Sequence, residues 1–537
     1  MPRSLAAPLL IALVAVFAVS ACAVPGTTAA AASQEVKPGY LAVADTEKSS
    51  SGTMSMQLDY DSAEATGLDP QLAQAARSWS LMSLVYETLV TVGPDFTIQP
   101  RLAKAWDQPE PSTYVFHLRE DVVFSNGRPM MADDVVGSLK RLAEGSGVWS
   151  SQIGEITSVT APDTGTVEVK LAQPYSPFLA ALANTPAAVL PMAEIEAGAI
   201  DLTKVMLGTG PFVVEAHRQD ESWTFKPNSA YRDEKALGID ALNVEIVSSE
   251  TTRLAGLREG STIFANLNNA DSLDLAVGDM NTRVVNQQQS DLYYLVLNSQ
   301  RKTSPLADQE IRQAIASVLN RQQLADLALA GMAVPTNVTP AILPDACSPV
   351  EPASDAEEAA KGAIDVARGK KLDLLIYSSE PALSQLAQVV QQQLKVIGVD
   401  VTIKNLDMPT YNAKVFGSSP GDFDMAIGWF AGYADSSMLT KWWNPTTAIF
   451  SAGFIGNHED LNSAIDEAAS LAEGPDRTTA LNEVCSLVEH YAEMLPLVTR
   501  PSLIGYRTDR LAPTLYANEG YGSVLRDIVD FRLLAEG

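Results

Sequence analysis

The sequence predicts an α/β protein, and three observations carry that prediction. Segments alternating every second residue recur between segments with helical periodicity over several hundred residues, the pattern of mixed sheets flanked by helices. The chain has 537 residues, enough for several units or one large multi-lobed body with real cores. Its 46% hydrophobic and 19% charged content is that of a globular protein and excludes wholesale disorder or a fibre.

The elements follow in order. Arg3 opens a positive n-region, Leu9 to Val19 is apolar without interruption, and Val19-Ser20-Ala21-Cys22 places small residues ahead of a cysteine. That run is short for a membrane span. It reads as a secretory signal over residues 1–21, and Val19 to Cys22 resembles a bacterial lipobox with Cys22 as the lipid anchor; the alternative is an ordinary signal with an incidental cysteine. Residues 22–52, rich in Ala, Ser, Thr and Gly, read as a flexible tether. In the body, Thr53–Leu58 alternates as a first strand, and Trp79 to Leu89 carries Leu81, Leu84, Val85 and Leu89 at helical spacing. Tyr114–Leu118 and Val122–Phe124 read as short strands before an Asn126-Gly127 turn, and Ala132–Leu142 as a helix led by acids. Strands are expected at Val167–Leu171, Phe212–Glu215, Trp223–Lys226, Leu292–Leu297, Leu372–Tyr377, Val399–Lys404 and Phe423–Trp429. Helices are expected at Gln309–Arg321, Leu383–Val396 and Arg477–Tyr491.

Charge and cysteines bound the function. The 37 Lys and Arg against 65 Asp and Glu leave a net charge of −28, which repels phosphate backbones; basic residues occur singly or in pairs such as Lys140-Arg141 and Lys370-Lys371. Nucleic acid is therefore excluded as a partner. With Cys22 assigned to lipid, Cys347 and Cys485 are left either as a bridge or as separate buried thiols. Neither belongs to a CxxC, and with 4 His in the chain the usual zinc spacings are absent, so no cofactor or metal is expected.

Several stretches then carry a family resemblance. Leu84-Val85-Tyr86-Glu87-Thr88-Leu89, Pro100-Arg101-Leu102-Ala103 with Trp106, Tyr114 to Arg119, Phe124-Ser125-Asn126-Gly127 and Ala132-Asp133-Asp134-Val135 resemble the signature run of the family 5 extracellular solute-binding proteins, the peptide and nickel class of ABC-importer receptors. Gly208-Thr209-Gly210-Pro211-Phe212, Asn228 to Tyr231, Ile311-Arg312-Gln313-Ala314 and Asp422-Phe423-Asp424 leading into Gly428-Trp429 follow in the family's order. The resemblance implies a two-lobed, periplasmic-binding-protein-like clamp with an inserted subdomain. Lobe I would comprise 53–90, 192–291 and 495–537, the insert 91–191, and lobe II 292–494. It also implies a monomeric receptor outside the cytoplasmic membrane, delivering its ligand to the transmembrane subunits of an ABC permease.

The resemblance places the ligand cleft as well. Peptide-binding members carry a Trp, two residues, then an Asp and a Tyr, the Asp meeting the peptide's ammonium. Here the stretch is Trp429-Phe430-Ala431-Gly432-Tyr433, so Gly432 stands at the acidic position. Asp435 lies three residues on, which in extended chain moves the charge by ~10 Å. Trp429, Phe430 and Tyr433, with Trp79 and Trp149, are the candidate aromatic surface for an apolar group, a sugar face or an organic cation, and Arg77 and Ser78 beside Trp79 are candidate polar contacts. The expected ligand is a peptide or a peptide-like solute with modified or hidden termini, with a sugar or metal chelate as the alternative. A secreted hydrolase is the rival from another class, because Gly417-Ser418-Ser419-Pro420-Gly421 satisfies GxSxG and Asp460 and His490 follow. That elbow needs a strand before the serine and a helix after it, and here the order is reversed. His458-Glu459-Asp460 reads as a solvated charge run rather than a metal site.

Overall fold

The computed structural model describes residues 40–42, 49–62, 66–73, 76–233, 237–269, 272, 279–350, 356–520 and 523–534. The signal segment and Cys22 lie outside the described residues. Two α/β bodies and an antiparallel subdomain make up the fold.

The first body is built on a seven-stranded sheet ordered Phe212–Arg218, Ser222–Pro227, Ala241–Ile246, Thr53–Leu58, Phe264–Leu267, Ser502–Arg507 and Thr282–Gln287. Thr53–Leu58 is central and parallel to both neighbours, and Met54, Met56 and Leu58 of its alternating pattern are buried. The second body has a five-stranded sheet ordered Asp400–Leu406, Lys371–Tyr377, Met425–Phe430, Leu292–Leu297 and Met494–Thr499. Leu292–Leu297 is apolar throughout and buried throughout, as a strand paired on both edges and covered on both faces must be. Between strands, Pro381–Val396 and Pro475–Tyr491 start with proline in the first turn, where a missing N–H costs nothing.

The subdomain is a four-stranded antiparallel sheet, Ala103–Glu110, Thr113–Leu118, Thr166–Leu171 and Ile156–Asp163, packed on the helix Ala132–Glu144. Its root is held by Glu87, whose fully buried carboxylate accepts bonds from Arg101 (3.0 Å), Arg232 (2.7 and 2.8 Å) and Thr209 (2.9 Å). Burial pushes this carboxyl up, but the Arg101 and Arg232 guanidiniums outweigh it and hold it below the usual range.

Several elements differ from the sequence expectation. The helix expected over Trp79 to Leu89 ends at Met82, because the Leu84 and Val85 carbonyls accept the Phe212 and Gly210 N–H groups from a neighbouring segment. Gly208 and Gly210 are required there, since a Cβ would lie 2.1 and 2.6 Å from the Val85 carbonyl oxygen. Val122–Phe124 makes a single bridge, Val123 with Pro129, instead of a strand. Within the stretch read as tether, Tyr40–Ala42 pairs with Leu515–Tyr516 and Ser49–Ser50 with Arg532–Leu534, so chain-end segments meet through pairing that no local pattern announces.

Cys347 and Cys485 form a disulfide across 138 residues of sequence, joining a loop to the helix Pro475–Tyr491. A loop of that size corresponds to about 5 kcal/mol on the chain-entropy model. The paired Cys347→Ser, Cys485→Ser variant is expected to lose several kcal/mol in denaturant unfolding of the oxidised protein. Equal midpoints would show that the bridge adds nothing.

Candidate functional site

The chain crosses between the two sheets at 288–291 and again at 500–501, and the crossings are bound to each other. Arg500 N–H donates to the Asp291 carbonyl at 2.8 Å, and the side chains form an ion pair at 3.7 Å. The Arg500 guanidinium also reaches the Glu380 carboxylate at 3.3 Å, and Tyr293 donates its hydroxyl to Glu380 at 2.8 Å. All four residues are buried. Asp291 precedes and Tyr293 lies at the start of the strand Leu292–Leu297, while Glu380 and Arg500 follow Lys371–Tyr377 and Met494–Thr499, so the sheet register sets their meeting.

This charged joint lies directly against the candidate residues. Trp429, at the end of the strand Met425–Phe430, places its ring 4.2 Å from the Arg500 guanidinium, a cation–π contact. Gly432 donates its N–H to the Asp291 carboxylate at 2.6 Å. A Cβ at Gly432 would meet Ser290 Oγ at 2.1 Å and the Ser290 carbonyl carbon at 2.3 Å, so no side chain fits. The Ser290 hydroxyl further fixes the loop by donating to the carbonyls of Tyr433 and Glu519, each at 2.9 Å.

The aromatic candidates other than Trp429 form one continuous seam with Trp442 and Tyr294. Trp79 meets Trp149 edge-on at 5.3 Å, Trp149 meets Tyr433 at 5.4 Å, Tyr433 meets Trp442 at 6.1 Å, and Trp442 stacks on Phe430 at 5.6 Å. Phe430 in turn stacks on Tyr294 at 4.3 Å. Trp79 comes from the helix Ala76–Met82 and Trp149 from the turn after Ala132–Glu144, whereas Tyr433, Trp442 and Phe430 belong to the second body. Trp429 and Trp442 are half-buried and pack against both hydrophobic cores. Trp149 is fully buried and donates its indole N–H to the Ala181 carbonyl at 3.1 Å, and the Trp79 indole N–H is buried without a hydrogen-bond acceptor among the described residues.

The remaining candidates are placed differently. Asp435 caps the short helix Ser436–Thr440 through Ser437 N–H at 2.8 Å and takes a 2.6 Å ion pair from the buried Arg477, which also faces Asp345 at 3.4 Å. Ser78 is buried in the same helix as Trp79, and Arg77 beside it is half-buried, its charge helping to hold the Asp59 carboxyl below its usual range against burial. Asp291, Arg500, Glu380 and Trp442 were not singled out by sequence reasoning. A lone acid before one strand and a lone base after another carry no local signal; only their positions at the two crossings mark them.

Ser419 lies between the helix Met408–Val415 and the strand Met425–Phe430, and its hydroxyl donates to the Ala452 carbonyl at 3.1 Å. Asp460 accepts the Tyr491 hydroxyl at 2.8 Å, and His490 contacts Gln309 at 3.2 Å, so each member of the hydrolase pattern has its own separate partner. His458 stacks on Tyr491 at 3.5 Å and bonds Glu493 at 3.0 Å. Among the described residues no group of three His, Cys, Asp or Glu is placed to hold a metal, and no helix is long and apolar enough to cross a membrane.

Gly432→Ala is expected to cost about 3 kcal/mol, because a methyl group cannot be accommodated against the Ser290 backbone and hydroxyl. Chemical denaturation measures this, and wild-type stability in the variant would contradict the close approach.

Comparison with known proteins agrees with this geometry. The family model described as "Bacterial extracellular solute-binding proteins, family 5 Middle" matches residues 97–451. The probable D,D-dipeptide-binding periplasmic protein DdpA of Escherichia coli is 26% identical over 425 residues, covering 75% of this chain and 80% of its own. The glutathione-binding protein GsiB of Salmonella typhimurium is 26% identical over 450 residues, covering 81% and 86%. The solved structure of the periplasmic binding protein DppA from Helicobacter pylori, in complex with the peptide STSA, superimposes with a TM-score of 0.75 at 22% identity, covering 91% of this chain and 99% of that one. With the family model spanning well over half of the sequence, the chain belongs to the family 5 bacterial extracellular solute-binding proteins.

Proposed function

We propose that this protein is the extracytoplasmic receptor of an ABC importer, closing two lobes on a peptide-like solute and presenting it to the permease without making or breaking a bond. The observation that carries the reading is the aromatic seam, contributed from both sides of the crossings, with the loop that bears Tyr433 bonded through Gly432 to the Asp291–Arg500 joint. Lobe I is residues 53–90, 192–291 and 495–537, the insert 91–191, and lobe II 292–494, with one shift: the strand Met494–Thr499 pairs within the sheet of lobe II, so that lobe runs on to Thr499. Cys22 carries the lipid that holds this monomeric receptor at the outer face of the membrane. The ligand-facing surface is Trp429, Phe430, Gly432, Tyr433, Trp79 and Trp149, with Arg77, Ser78 and Asp435 flanking it.

The solute's end at Gly432 meets main chain and no side-chain carboxylate, since no side chain fits there. The reading therefore favours a peptide whose amino end is modified or turned away over one gripped by a free ammonium. Relatives named for dipeptides and glutathione support the peptide class.

Mass spectrometry of ligand released from protein purified out of its host is expected to yield peptides or modified peptides; a sugar or a nickel chelate would replace this reading. In tryptophan-fluorescence titrations, N-acetylated di- and tripeptides are expected to bind more tightly than their free-amine forms. Trp429→Ala is expected to weaken binding at least tenfold with only a few degrees lost in Tm. Collapse of the fold would instead make Trp429 a core residue.

A further inference from the structure

The contacts of the antiparallel subdomain with the second body at its far end include three hydrogen bonds, one cation–π contact and one edge-on aromatic pair. Lys441, in the turn Lys441–Trp443, donates from Nζ to the Ser151 carbonyl at 2.7 Å and lies 4.5 Å above the Tyr175 ring. Ser176 donates both its N–H, at 2.8 Å, and its hydroxyl, at 3.2 Å, to the Ala469 carbonyl. Trp149, one residue before the turn Ser150–Gln152, makes the edge-on contact with Tyr433. Tyr175 is itself fixed by donating its hydroxyl to the Gln152 carbonyl at 3.0 Å, so the 150–152 turn and the 175–176 segment present one surface.

From this geometry we infer that the subdomain is a lid over the aromatic site and that Lys441 is the positioning residue that holds the lid down. The inference rests on the receptor reading only for its purpose; its geometry is testable without any ligand. Lys441 is suited to the task because both of its partners, a carbonyl oxygen and the negative face of a phenol ring, attract a cation and repel an anion. Asp466 is the nearby acid that favours its charge, and burial draws the amine down to about 8, so at pH 7 it is still mostly protonated. The contact thus gives up hydration to form, and reversing its charge is enough to break it. Ser176 provides the readout, since its amide is covered by the Ala469 carbonyl across the same contact.

Hydrogen exchange of the peptide containing Ser176 tests the inference, with peptides from Thr53–Leu58 and Leu292–Leu297 as internal controls. The Ser176 amide is expected to be protected at least tenfold in the wild type, to lose at least fivefold of that protection in Lys441→Glu, and to keep it within twofold in Lys441→Arg. The control peptides stay unchanged, and should Lys441→Glu unfold, Lys441→Gln gives the same comparison with smaller loss. An unprotected Ser176 amide in the wild type, or equal protection in all variants, overturns the lid.

Discussion

The structure depends on the pairing of Asp291 with Arg500. One residue stands on each chain crossing, and they are joined by a main-chain hydrogen bond and an ion pair with both side chains buried. A buried ion pair contributes little to net stability unless its remaining valences are filled, and several of them are here. Asp291 also receives the Gly432 and Gln289 N–H groups, while Arg500 also meets Glu380 and lies under Trp429. Any rotation of one body against the other must pass through this pair. The loop at Gly432 and the ring of Trp429 would feel that rotation directly, so a ligand bound at the proposed site would be coupled to the relative position of the bodies.

Much of the fold was legible in the sequence because the strands are governed by burial. Leu292–Leu297 was read to its end residues, since an apolar run of six with β-branched and aromatic members has no other stable place. The helix from Trp79 was overextended for a reason that periodicity cannot carry: its last carbonyls are claimed by Gly210 and Phe212, more than a hundred residues on. The strands at Tyr40–Ala42 and Ser49–Ser50 were missed because composition alone does not mark chain-end pairing. At the site, Trp429, Phe430 and Tyr433 were legible through the family pattern around Gly428-Trp429. Asp291, Arg500 and Glu380 were not, because their significance comes from three sequence-distant positions meeting at one joint.

Gly432 shows how a substitution within a pattern is read differently once packing is known. As sequence it is a lost carboxylate. In the structure it is a place where the chain passes within van der Waals distance of Ser290 and Gly520, and where the nearest carboxylate, Asp291, is spent on the backbone. The change is therefore not a single exchange that one reversion would undo: an acid at 432 would require the 288–291 crossing itself to move.

The two ends of the subdomain differ in how firmly they are held, and that difference decides which end can move. At the root, Glu87 is fully buried with two guanidiniums and a hydroxyl, and removing the carboxylate would leave the two guanidiniums facing each other without a counter-charge, typically at a cost of ~3–5 kcal/mol. At the far end, the contacts are a lysine on a carbonyl, a serine on a carbonyl and one edge-on aromatic pair. A neutral hydrogen bond such as that of Ser176 contributes about 1 kcal/mol, one from a charged donor such as Lys441 ~1.5–3, and the aromatic contact ~0.5–1.5. Water can replace the far-end hydrogen bonds, whereas it has no access to the Glu87 carboxylate. If the subdomain moves as inferred above, the Glu87 cluster is the part that stays and Trp149 the part that travels.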